Sequence, residues 1–356
     1  MDLLKKYLQN SSPSPMVDEA DLLFRAKFLE TDLVFEDIDQ SRLVELTEAH
    51  GIDMATAILF DRLRRSERHS RFISDFEAVP VDLQNLPKMS GRLVLVPAGF
   101  YRHFPNFGGG GEVILEVARK HGLSPELAPT NSTGLMRDNA ELLRELFRKA
   151  DDKSIILFTL SRGAAEVRLA LTEEPALVKK IKRWVMICST LYGSRQADHM
   201  LGLNPWKKWF LFRALRPYGF TPEIVSEFRT GPEGILPQPW KMEFPEGLLT
   251  CLVPCCLRSH LNSSGQRRRF DQMSKFGPND GVLTFFDGLH PSANVFPVWG
   301  ADHYMRVPGT PFLFYKLFGY FAGLDRKESA DINLSRLESS GAGGGSVVNV
   351  GPFHMR

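Results

Sequence analysis

From Arg92 onward, short apolar runs alternate with amphipathic stretches, and this alternation restricts the possible folds more than any other feature of the chain. RLVLVP, LSPELAPT, SIILFTL, RWVMICST, GLLTCLVPC and VFPVWG read as strands. GGEVILEVARKHG, MRDNAELLRELFRKA, SRGAAEVRLALTEEP and the closing PGTPFLFYKLFGYFAGL read as helices. Consecutive strands joined through helices cannot form hairpins, so they pair in parallel and carry the helices on their faces. SIILFTL, apolar at almost every position, fits a strand covered on both sides. The expected class is α/β, with a mostly parallel sheet flanked by helices.

The rest of the chain divides around this core. Residues 1–15, ending in Ser-Pro-Ser-Pro, read as a flexible leader, and residues 16–88 as an N-terminal helical domain. In the latter, apolar positions recur every three or four residues, and proline is absent from 17 to 79. The α/β domain is expected over 89–328, interrupted at about 194–245 by an inserted cap, with 329–356 as a disordered tail. The formal charge is only +2, so there is no basic excess to attract nucleic acid. No stretch approaches 18 consecutive apolar residues and the start lacks a signal-peptide pattern, so the expectation is a cytoplasmic protein without a transmembrane segment. Cys188, Cys251, Cys255 and Cys256 lack zinc-site spacing and are expected as buried or free thiols; neither metal nor cofactor is expected. Oligomeric state is not legible.

Chemistry concentrates where SIILFTL runs straight into Ser161-Arg162-Gly163 and a small-residue helix. A strand–turn–helix junction of this kind forces a serine onto a tight turn above the sheet, although Thr159 stands where such elbows usually carry glycine. A serine opening a helix also serves as an ordinary N-cap. A nucleophilic serine needs a base, and the base needs a carboxylate. His303, after VFPVWG, and Asp280, in the Asn-Asp-Gly turn, supply them in the order Ser, Asp, His. Asp287 and Asp302 compete as acid, and His290 and His260 as base. Backbone N–H groups of Phe100 and Arg162 are expected to form an oxyanion hole. The glycines at 108–111 fit a surface hinge, a close approach to substrate or a phosphate cradle, the last without any accompanying nucleotide motif.

With these residues in place, 91–324 resembles the lipase/esterase branch of the α/β-hydrolases. Asn279-Asp280-Gly281-Val282-Leu283, 23 residues before His303, is similar to the acid turn of bacterial triacylglycerol lipases, and Gly193-Ser194-Arg195-Gln196-Ala197-Asp198 to the segment that opens their cap. Asp302 precedes the histidine where the calcium-binding lipases carry an acid after it, so their calcium site is not implied. The resemblance implies a serine hydrolase for a small-molecule or lipid ester with an apolar acyl portion. Trp206, Trp209, Phe210 and Phe212, interleaved with Lys207, Lys208 and Arg213, would then cover the substrate cleft or touch a membrane surface. A catalytically silent lipid-binding or interaction module, and an acyltransferase or thioesterase with the same triad, remain the alternatives.

Overall fold

The structure is a computed structural model that describes residues 18–231, 234–236, 240–307 and 309–341, with side chains as far as residue 330. The leader expected over 1–15 lies outside the described residues, as does 342–356 of the expected tail.

Among the described residues, four helices come first: α1 (Glu19–Ala26), α2 (Gln40–His50), α3 (Ile52–Arg65) and α4 (Ser70–Glu77). Asp18 and Asp39 cap the first two, each accepting from a backbone N–H three residues on. Then the alternation begins: β1 (Arg92–Val96), α5 (Glu112–Lys120), β2 (Ser124–Leu127), α6 (Met136–Arg148), β3 (Ile155–Leu160), α7 (Arg162–Glu173) and β4 (Ile181–Ile187). Between β4 and β5 the chain leaves the sheet for α8 (Arg195–Leu201), α9 (Pro205–Leu215) and α10 (Pro222–Ser226). It returns through β5 (Leu249–Cys255), α11 (Ser264–Met273), β6 (Asn294–Trp299) and α12 (Thr310–Gly341). The six strands lie in the order β2-β1-β3-β4-β5-β6, every pair parallel.

Strand side chains alternate between two apolar layers, as the period of two requires. Val94, Leu157, Met186, Cys251 and Val295 face one, packed under α6 and α7. Leu95, Phe158, Ile187, Leu252 and Phe296 face the other, packed under α5 and α12.

The N-terminal helices pack on one another and also on the sheet. α3 puts Ile58 and Leu59 into the first layer, and α4 puts Phe72 and Phe76 into the second, so the two helices straddle the edge strand β6. The Phe76 and Phe296 rings meet at 4.4 Å, and those of Phe60 and Trp299 at 5.0 Å. These contacts cover an apolar sheet edge. The last helix also runs beyond expectation, through 329–341, because no glycine or proline interrupts 325–340. Near residue 328 it is tied down by Arg183, which donates to both Asp325 and Glu328. Among the described residues no helix is long and apolar enough to cross a membrane.

Candidate active site

Ser161 occupies the single residue between β3 and α7, with φ 48° and ψ −114°. This backbone region is costly for a side-chain-bearing residue, at roughly 1–3 kcal/mol. Its N–H donates to the Ile187 carbonyl at 2.9 Å, and its carbonyl accepts from the Thr190 hydroxyl at 3.2 Å, which together hold the turn. Gly163 permits the crossing of helix and sheet, because a Cβ there would stand 2.7 Å from the Val96 carbonyl oxygen. Thr159 is accommodated because its hydroxyl accepts from Trp184 Nε1 at 3.0 Å and reaches the Val185 carbonyl at 3.4 Å. The neighbouring strand thus supplies partners for a polar group where these turns usually have no side chain.

The expected acid and base converge on this serine. His303 Nε2 lies 3.0 Å from Ser161 Oγ, and His303 Nδ1 lies 2.8 Å from Asp280 Oδ2. The other Asp280 oxygen accepts the N–H groups of Val282 at 2.9 Å and Leu283 at 2.7 Å, which fixes the carboxylate plane. Asp280 and His303 are both buried, so these bonds are poorly screened by water.

The four competitors are engaged elsewhere. Asp302 accepts from the Tyr304 N–H and from Arg306 Nε, at 3.0 and 2.9 Å. Asp287 accepts the Thr284 N–H at 2.8 Å, and burial pushes its carboxyl up to about 6. His290 is packed between Trp240 and Phe244, where burial holds its imidazole down to about 4. His260 pairs with Glu19 of α1 at 2.9 Å.

The two amides expected to form an oxyanion hole are placed differently. Arg162 opens α7, so its N–H is one of those a helix leaves without an internal acceptor. The Phe100 N–H instead donates to the Ser132 carbonyl at 2.8 Å, with Phe100 at φ 61° and its ring stacked on Phe220 at 3.7 Å. The loop after β1 is tied there to the loop after β2, and the Phe100 amide is spent on that contact. The Arg162 side chain runs the other way, into the interior. Its Nε lies 2.6 Å from Glu166, which Asn139 also contacts at 2.6 Å, and its guanidinium covers Phe228. Burial raises the Glu166 carboxyl above its ordinary range despite these partners.

Cys188, at the end of β4, is a neighbour of the site with no sequence signal to single it out. Its sulfur and the facing atoms of Asp280 and His303 lie within 4.8 Å of one another. Burial pushes the thiol far up, so it packs as a neutral group beside the imidazole. All four cysteines are buried and free.

A cavity of about 1350 Å³ opens over Ser161 and His303. The glycine loop lines it through Gly108, Gly109 and Gly111. Of the four aromatic residues expected over the cleft, Phe210 alone lines the cavity. Trp206 and Trp209 point outward, 76% and 53% exposed, while Phe212 is buried against Ala197 and Val225. Helix α9 forms one wall of the cavity and turns Trp206 and Trp209 away from it.

No family model and no curated relative matches the chain. Among solved structures, a metagenomic carboxyl esterase, MGS0156, superposes with a TM-score of 0.51 at 18% identity, over 90% of this chain and 97% of its own. The mature Bacillus licheniformis lipase BlEst2 gives a TM-score of 0.46 at 17% identity, over 66% of this chain and 95% of its own. Strand order, crossovers and the superposition over nine tenths of the chain agree: the protein has the α/β-hydrolase fold.

Proposed function

We propose that the protein is a serine hydrolase that cleaves a carboxylic ester with an apolar acyl portion. The observation that carries this reading is the chain of hydrogen bonds Ser161–His303–Asp280, ending on a serine held in a strained turn at the floor of a large cavity. His303 Nε2 takes the Ser161 proton as Oγ adds to the ester carbonyl, and Asp280 stabilises the resulting imidazolium. The Arg162 amide, backed by the positive end of α7, stabilises the oxyanion. The imidazolium then protonates the departing alcohol. Water attacks the acyl-enzyme, giving its proton to His303, and Ser161 is regenerated with release of the acid.

A fluorophosphonate probe should label the wild-type serine and leave Ser161→Ala unlabelled, and the same variant should lose hydrolysis of a chromogenic short-chain ester. Labelling at another residue, or undiminished turnover in a folded Ser161→Ala, would overturn the reading in favour of another nucleophile. No reaction at all in the wild type would favour a silent binding module.

A further inference from the structure

The first turn of α7 holds a buried ion pair that helix physics does not call for. Arg162 and Glu166 are one helical turn apart and 3% and 2% exposed, with Arg162 Nε 2.6 Å from a Glu166 oxygen. A cation in the first turn of a helix opposes the helix dipole. A buried pair is also no better for stability than apolar side chains of the same volume, and its best-attested use is to fix one arrangement among several. What this pair fixes follows from its neighbours.

The stem of Arg162 lies against the loop after β1, where a Cβ on Gly99 would stand 2.8 Å from Arg162 Cδ. Its Nη2 donates to the Gly134 carbonyl in the loop after β2, and its guanidinium covers the Phe228 ring, just beyond α10, at 5.5 Å. Glu166 is held from a second side, by Asn139 Nδ2 of α6 at 2.6 Å. Asn139 grips the loop after β2 as well: its Nδ2 donates to the Asn131 carbonyl at 2.9 Å, and its Oδ1 accepts the Asn131 N–H at 2.8 Å. The next residue, Ser132, is the one whose carbonyl takes the Phe100 amide. The residue after the serine is thus anchored by its side chain to three separate segments, and Glu166 joins that anchor to α6.

We infer that Glu166 is a positioning residue: through the Arg162 side chain it holds the Arg162 amide in the direction that serves the oxyanion formed on Ser161. This rests on the serine-hydrolase reading above and adds a residue to it. With the Phe100 amide taken by Ser132, the charge on the oxyanion falls to the Arg162 amide. A hydrogen bond weakens steeply as it bends, and a donor stabilises a transition state best when it need not reorganise. On one side the amide is fixed by the Ser161 turn. On the other it is fixed by its own guanidinium, which stays buried because Glu166 matches its charge.

The test uses the full chain and decyl trifluoromethyl ketone carrying carbon-13 in its carbonyl. Ser161 Oγ bonds to the carbonyl carbon, the serine proton passes to His303, and the carbonyl π pair moves onto oxygen as the oxyanion. The pH at which the adduct's oxygen ionises, read from the carbon-13 shift, reports how well that charge is stabilised. Glu166→Gln keeps the volume of the side chain, and Arg162→Met/Glu166→Leu replaces the pair by apolar groups. In both, kcat for a chromogenic ester should fall roughly ten-fold or more with KM changed less than about two-fold. The adduct should ionise about one pH unit higher, the equivalent of that ten-fold loss. The double variant should nevertheless keep the wild-type midpoint in urea. Arg62→Met, which breaks the buried pair with Asp61 on α3, should lower the urea midpoint and leave the adduct's ionisation where it was. The inference is overturned, with the hydrolase reading intact, if Glu166→Gln or the folded double variant matches wild type in kcat and adduct ionisation. An equal shift in Arg62→Met overturns it too. A wild type that neither cleaves the ester nor forms the adduct overturns both.

Discussion

The tolerances around Ser161 are set by single atoms. Gly163→Ala would bring a methyl group to 2.7 Å from the Val96 carbonyl, so we expect a loss of about 1–3 kcal/mol in urea unfolding, together with reduced turnover. Thr159→Val keeps the shape but leaves Trp184 Nε1 without its acceptor in the core, which should lower stability by about 1–3 kcal/mol in thermal unfolding. Asp280→Asn should cut kcat by roughly 10³–10⁴-fold with little change in stability, since an amide no longer enforces the productive imidazole tautomer; steady-state kinetics on a chromogenic ester would check this. Ser161, Asp280 and His303 were legible because strand ends and turn chemistry leave marks within a few residues. The alternatives could be set aside only in three dimensions: Asp287 and Asp302 turn out to be taken up by neighbours within four residues, and His260 and His290 by Glu19 and Trp240 from distant segments. The Phe100 amide was misread for the same reason: its acceptor, Ser132, comes from a different loop.

At the level of elements, the periodicities at 17–76 announce helices but say nothing about where they sit. An apolar helix face fits another helix or a sheet edge equally well, and only the exposed flank of β6 decides. Because α3 and α4 close both layers at that edge, deleting residues 18–78 should give an aggregating product rather than a free-standing enzyme, as size-exclusion chromatography would show. A soluble monomer with unaltered kinetics would contradict this. Phe76→Ala, which empties the contact with Phe296, should cost about 3–5 kcal/mol in denaturant unfolding. The outward turn of Trp206 and Trp209 on α9 was likewise out of reach. That helix carries rings on several sides, so its sequence does not select the face that meets the cavity.

Over the whole molecule, buried carboxylates make stability depend on pH in an unusual direction. Asp287 is raised from 3.8 to about 6 by burial, so the folded state binds its proton more tightly than the unfolded chain does. Its contribution is therefore fully present below about pH 4 and is lost as pH rises through 6. The span corresponds to something on the order of 3 kcal/mol. Asp287→Asn should remove that loss, and the stability of variant and wild type, measured by denaturant unfolding at pH 4 and pH 7, should diverge only at the higher value. The edge closure by α3 and α4 also sets a schedule for synthesis. Phe76 leaves the ribosome about 220 residues before Phe296, an interval of roughly ten to forty seconds at ordinary elongation rates. During that wait the N-terminal helices have no sheet to cover, and their apolar faces are open to chaperones. A nascent chain stalled before residue 290 should stay protease-sensitive across 40–77 and become resistant only once β6 has been released.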